Sequence, residues 1–315
     1  MNRRNLLLRA AGLLAVAGGA WWARDHLLWP KPRLTFGPDG ATPWLPYARP
    51  SLTPTVRVML EGREVLALID SGAQYSVIDR TFFESLPAEG RSVFDMPLVA
   101  YGVGGGAQVG RGISISLTLP GLTITELRAG ILNLGPLASE DGLRTPLILG
   151  QDVLGEAVLA LDPAKKYARL LHRDVFVRPP DLIETLVNKQ GSALTAVLAV
   201  EGRDVRAIID TGASGLLGLS RNTAEEVGLL DGRPQREGTS LVLGGSMRST
   251  VVEASRVTFA DHLYQRVDVG VFEQPPLPNF PGGLVGMEAF ADRRVALDLG
   301  KGRMHVSQPL DLTVG

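Results

Sequence analysis

Two aspartates in this chain stand at the ends of apolar runs. Asp70 closes Val65-Leu66-Ala67-Leu68-Ile69, and Asp210 closes Val205-Arg206-Ala207-Ile208-Ile209. Each is followed by a hydroxyl residue, a glycine and an alanine: Ser71-Gly72-Ala73 and Thr211-Gly212-Ala213. A carboxylate at the end of a buried strand is expensive unless it is paired or used. Two of them, brought together from equivalent places, would share one proton, because adjacent like charges cannot both ionise cheaply. Such a pair offers an acid and a base at once. Gly72 and Gly212 let the backbone pass close to a neighbour.

The elements that carry these residues repeat. Glu61-Gly62-Arg63 and Glu201-Gly202-Arg203 precede the two runs, and both features recur at an offset of 140 residues. A repeat of that length sets the architecture before any motif is read. In each half, a turn flanked by β-branched and apolar residues predicts a hairpin: Thr55–Leu60 with Glu64–Ile69, and Ala193–Val200 with Val205–Ile209. One short helical turn is expected over Thr81–Leu86. A better helix is expected over Arg221–Leu229, capped by Ser220 or Asn222, and another short one over Met287–Asp292. Gly102-x-Gly104-x-x-Ala107 looks like a dinucleotide fingerprint, but that motif needs a following helix. Ile113–Leu119 instead alternates with the period of a strand, so Gly104, Gly105 and Gly106 read as a hairpin tip. Gly244 and Gly245 occupy the matching place: Gly104 follows Asp70, and Gly244 follows Asp210, by 34 residues.

Asp70-Ser71-Gly72-Ala73 and Asp210-Thr211-Gly212-Ala213 resemble the two active-site loops of retropepsin-like aspartic proteases. An apolar-apolar-Gly signature follows in both halves, in Leu147-Ile148-Leu149-Gly150-Gln151-Asp152 and Gly283-Leu284-Val285-Gly286-Met287-Glu288. Strand patterns come next, Leu159–Asp162 and Val295–Asp298. The resemblance implies an all-β, two-lobed acid-protease fold, with duplicated retropepsin-like β-barrel lobes and a few short helices. It implies an aspartic endopeptidase that cleaves a peptide or protein substrate between the lobes, with Asp70 and Asp210 catalytic. Ser71, Gly72, Ala73, Thr211, Gly212 and Ala213 would support the pair. Gly104, Gly105, Gly106, Gly244 and Gly245 would sit on flaps over the substrate. No metal or organic cofactor is needed. Both aspartates lie on one chain, so a monomer is expected. The alternative is a catalytically inactive, exported peptide-binding protein of the same fold. The halves depart from each other at Ser76 against Leu216 and at Asp152 against Glu288; neither position is expected to carry the chemistry. Pepsin-like enzymes usually have a hydroxyl residue where Ala73 and Ala213 stand. Without that donor to the charged form, a mildly acidic to near-neutral optimum is expected.

Composition narrows the rest. The 315 residues include no cysteine, which excludes disulfides, thiolate metal sites and a cysteine nucleophile. The net charge of −1 gives no reason to expect nucleic acid. His26, His172, His262 and His305 form no metal-ligand spacing, and no nucleophile elbow is present. Residues 1–29 read as an export signal: Arg3-Arg4, then Leu6-Leu7-Leu8, then an uncharged apolar run from Ala10 to Ala23. Arg3-Arg4-Asn5-Leu6-Leu7-Leu8 looks like the twin-arginine motif, which points to the periplasm or cell envelope of a bacterium. An uncleaved anchor associated with the membrane, helped by Trp21, Trp22 and Trp29, is the alternative. Residues 30–50 form a Pro-rich linker or extended arm. The N-terminal lobe is expected over 51–174, a second linker over 175–185 and the C-terminal lobe over 186–315.

Overall fold

The computed structural model describes residues 30–87, 92–101, 107–242, 245–273 and 280–309. In chain order the first half supplies β1 (Arg33–Phe36), β2 (Leu45–Pro46), β3 (Thr55–Leu60), β4 (Arg63–Ile69), β5 (Val77–Asp79), helix α1 (Arg80–Ser85), β6 (Ser92–Tyr101), β7 (Ala107–Leu119), β8 (Leu122–Leu132), β9 (Leu147–Leu149), helix α2 (Gln151–Leu154), β10 (Val158–Asp162) and β11 (Tyr167–Leu171). The second half supplies β12 (Leu182–Thr185), β13 (Asn188–Gln190), β14 (Ala193–Val200), β15 (Arg203–Ile209), β16 (Leu217–Ser220), helix α3 (Arg221–Glu226), β17 (Gln235–Val242), β18 (Gly245–Phe259), β19 (His262–Phe272), β20 (Gly283–Val285), β21 (Val295–Asp298) and β22 (Arg303–Ser307).

Each half opens with a two-residue hairpin. Leu60 pairs with Arg63, and Val200 with Arg203. Glu61 and Gly62 have φ of 48° and 76°, and Glu201 and Gly202 have 51° and 82°. Two successive residues at positive φ match the right-handed twist of the flanking strands, and Gly62 and Gly202 adopt it without strain. β4 then runs parallel to β9, and β5 runs antiparallel to β9 on its other side. β15, β20 and β16 repeat this arrangement. In the first half β3, β4, β9, β5, β8 and β7 close on themselves through the β3–β7 and β7–β8 pairings. In the second, β14, β15, β20, β16, β19 and β18 close through β14–β18. The fold is therefore two duplicated retropepsin-like barrels with a few short helices. A hairpin extends from each barrel, β6–β7 in the first and β17–β18 in the second.

The short helices end sooner than their sequences suggest. Asp79 caps α1 by accepting from the Phe82 N–H, and Ser220 caps α3 by accepting from the Thr223 N–H. Met287–Phe290 is a 3-10 turn.

A third sheet joins the halves, in the order β12-β22-β21-β10-β11-β2. Its centre is an antiparallel pair across the pseudo-twofold, with Ala160 opposite Ala296 and Leu159 opposite Leu297. One half alone cannot display this pairing. One apolar core runs through both barrels and this sheet, from Val58 and Ile69 through Leu159 and Leu297 to Ile209 and Val257. The stretch 30–50, read from its prolines as a linker or arm, contributes β1 on the edge of the first barrel sheet and β2 on the edge of the central sheet. Proline is tolerated there because an edge strand can leave one face of its backbone unpaired. Part of the second linker, 182–185, is likewise the other edge of the central sheet. Residues 1–29 lie outside the described residues. Among the described residues no helix is long and apolar enough to cross a membrane.

Candidate active site

Strand periodicity decides where the two carboxyls point. Ala67 and Ile69 face the barrel core. Leu68, between them, faces a second cluster with Ala73, Tyr75, Val77, Leu132, Leu134 and Ile148. Side chains alternate along a strand, so Asp70, two beyond Leu68, leaves the sheet on that outer side. Asp210 does the same, two beyond Ile208, which packs with Ala213, Phe272 and Leu284. The two aspartates meet where the barrels face each other, and both are fully buried.

The loops that bear them are tied across the halves by their hydroxyl residues. Ser71 Oγ donates to Ile209 O at 2.7 Å, and Thr211 Oγ1 donates to Ile69 O at 2.7 Å. Each hydroxyl also accepts: the Ser71 N–H donates to Thr211 Oγ1 at 2.9 Å, and the Thr211 N–H to Ser71 Oγ at 3.0 Å. These four bonds form a closed, buried ring with the symmetry of the repeat. Gly72 and Gly212 make the contact tight. A Cβ on Gly72 would lie 2.7 Å from Asp210 Cγ, and one on Gly212 would lie 2.5 Å from Asp70 Oδ2.

Inner and outer carboxylate oxygens differ. Asp70 Oδ1 accepts from Gly72 N at 2.8 Å and from Ala73 N at 3.1 Å. Asp210 Oδ1 accepts from Gly212 N at 2.9 Å. Asp70 Oδ2 and Asp210 Oδ2 are buried with no hydrogen-bond partner. Burial pushes both carboxyls above the usual carboxylate range. For Asp210, the neighbouring Asp70 charge adds to the rise. For Asp70, the adjacent Asp210 carboxyl and the Gly72 and Ala73 N–H groups oppose it. A pair of this kind keeps one proton over a wide pH range and can donate from one oxygen while accepting at another.

Ala73 and Ala213, expected beside the pair, are buried in the outer clusters. Gly104, Gly105, Gly106 and Gly244 lie outside the described residues. Gly245 opens β18, opposite Val242. Among the described residues no group of three or more His, Asp or Glu could hold a metal ion.

Beneath the first loop lie Ser76 and Asp152, which the sequence gives no chemical role, and Gln151. Gln151 Nε2 donates to Ser71 O at 2.8 Å, and Ser76 Oγ donates to Asp152 Oδ1 at 2.8 Å. The signal available in the sequence was the unequal repeat: Ser76, Gln151 and Asp152 stand where the second half has Leu216, Met287 and Glu288.

A family profile described as aspartyl protease matches residues 56–153 and 196–289, one match in each half. No curated protein matches the chain. The crystal structure of basic 7S globulin from soybean is similar over 89% of this chain and 96% of that chain, at 11% identity and a TM-score of 0.48.

Proposed function

The chain belongs to the aspartyl protease family, and from that premise we propose that it is an aspartic endopeptidase acting through Asp70 and Asp210. The observation that supports this reading is the pair itself: two fully buried carboxyls on equivalent loops, each with an outer oxygen that has no hydrogen-bond partner. A water held between those oxygens gives its proton to the ionised carboxyl as it attacks the scissile carbonyl carbon. The protonated carboxyl donates to the carbonyl oxygen, so charge does not accumulate on the tetrahedral intermediate. The proton taken from water then passes to the leaving nitrogen as the C–N bond breaks, and the other carboxyl recovers its proton from the hydroxyl of the intermediate as the new carboxyl group forms. Both carboxyls come from one chain, so the proposed active form is a monomer. The N-terminal pattern supports action in the periplasm or cell envelope.

The second reading is an inactive peptide-binding protein of the same fold. Complete burial of both carboxyls favours it, since a substrate must open a path to reach them.

Digestion of a mixed peptide library by the wild type, Asp70→Asn and Asp210→Asn separates the two. Cleavage by the wild type alone supports the peptidase. Peptide retention without cleavage by the wild type supports the binding protein. Comparable cleavage by either Asn variant refutes the assignment of the pair.

A further inference from the structure

The two halves support their carboxyls by different means. In both, the residue after the glycine signature donates a main-chain bond to the loop: Gln151 N to Ala73 O and Met287 N to Ala213 O, each at 2.8 Å. Among the described residues, only in the first half does a side chain add to this. Gln151, 5% exposed, donates through Nε2 to Ser71 O. Met287, fully buried in the matching place, has no side-chain donor.

The seat of Gln151 is polar as well. Asp152 Oδ2 and Oδ1 accept the N–H and O–H of Ser76, at 3.0 and 2.8 Å. Ser76 Oγ in turn accepts from Gly150 N at 3.1 Å. In the second half Gly286 N donates instead to the main-chain oxygen of Leu216 at 3.0 Å.

The Ser71–Gly72 peptide unit connects this network to the carboxyl. Its C=O accepts from Gln151, and its N–H donates to Asp70 Oδ1 at 2.8 Å. A trans peptide is planar, with C=O and N–H pointing oppositely, so holding one end aims the other. We infer that Gln151 is a positioning residue for Asp70, orienting through the Ser71–Gly72 peptide the N–H that supports its carboxylate, and that among the described residues the Asp210 half has no equivalent. The duplicated halves are thereby made unequal. The charge-bearing form of Asp70 is held by a fixed donor, and that of Asp210 by a donor with one anchor fewer. The titratable group facing Asp70 is Asp210, from the opposite loop. Asp152, on α2, is turned onto Ser76.

The consequence for the reaction rests on the peptidase reading above, but the orientation of the peptide does not. The test therefore has two arms. In the first, the carboxyl carbon of Asp70 is followed by NMR through a pH titration in the wild type, Gln151→Met, Gln151→Leu and Met287→Leu. Removing the donor from residue 151 should raise the Asp70 midpoint by about half a pH unit, since a weaker donor supports the ionised form less. Exchange of the Gly72 amide should quicken. Met287→Leu, an apolar change at the equivalent place, should leave the Asp70 midpoint where it is. In the second arm, kcat/KM on the acid limb should fall about threefold in Gln151→Met, the fold-change of half a unit, with KM unchanged. A lowered Tm with an unmoved Asp70 midpoint in both residue-151 variants would make Gln151 a packing residue only and overturn the inference. A wild type that cleaves nothing would defeat the peptidase reading, while the first arm would still decide the role of Gln151.

Discussion

Replacing Thr211 by valine removes a hydroxyl and nothing else of consequence in volume. The side chain is 1% exposed, and its Oγ1 serves two main-chain groups of the opposite half: it donates to Ile69 O and accepts from Ser71 N. Both groups stay buried in the variant without that partner. Each such loss costs about 1–3 kcal/mol, so Thr211→Val should cost about 2–6 kcal/mol. That is a large share of the roughly 5–15 kcal/mol by which a folded domain is stable. Thr211→Ser keeps the hydroxyl and loses one methyl, a change of about 1 kcal/mol. Urea unfolding of the wild type and both variants measures the difference: Thr211→Val should lower the midpoint at an unchanged slope, and Thr211→Ser should fall between it and the wild type. Ser71→Ala breaks the other half of the ring, leaving Ile209 O and Thr211 N without it. The double variant should lose less than the sum of the two, because both hydroxyls belong to one hydrogen-bonded network that either change loosens. A Thr211→Val loss below about 1 kcal/mol, or strict additivity with Ser71→Ala, would refute the view that the hydroxyl ring ties the halves together.

Three further outcomes are expected. Folded-state values raised by burial mean that the pair favours folding at low pH and opposes it as pH rises: its contribution is intact below the unfolded value of 3.8 and falls as pH rises through the raised folded-state values, about 6 for Asp70 and well above the ordinary carboxylate value for Asp210. Asp70→Asn and Asp210→Asn should flatten that fall in thermal scans from pH 4 to 8; a wild type that gains stability over this interval while the Asn variants do not would contradict it. Gly72→Ala or Gly212→Ala would drive a methyl group to 2.7 or 2.5 Å from the opposite carboxyl, so each should lose about 1–3 kcal/mol and any peptidase activity; wild-type stability and turnover would show that the loops are not in contact. Changing Arg3 and Arg4 together to lysine should keep the precursor in the cytoplasm on fractionation, whereas unchanged envelope delivery would rule out the twin-arginine route.

Much of the architecture was legible in one dimension because the chain states it twice. The 140-residue offset relates Asp70 to Asp210 and the Glu-Gly turns to each other, and Gly150 has its counterpart in Gly286 at the slightly shorter offset of 136. Hairpin turns and strand alternation are local properties, so β3–β4 and β14–β15 follow from neighbouring residues. The central sheet was not legible. Ala160 meets Ala296 only after both barrels exist, and nothing near either residue announces the partner. Residues 33–36 and 45–46 looked like an arm for the same reason: the strands that receive them lie far along the chain.

At the site, sequence alone determined which residues stand in equivalent positions, because a repeat preserves residue types and spacing. It named the two carboxyls, their hydroxyl neighbours and the glycines. Tertiary structure decided what those groups do to one another. A hydrogen bond depends on distance and direction between atoms brought together by packing. Hence only the fold shows that Ser71 and Thr211 each bond to the opposite half, that the carboxyls lose water together, and that Gln151 reaches the peptide behind Asp70 while Met287 cannot do the same behind Asp210.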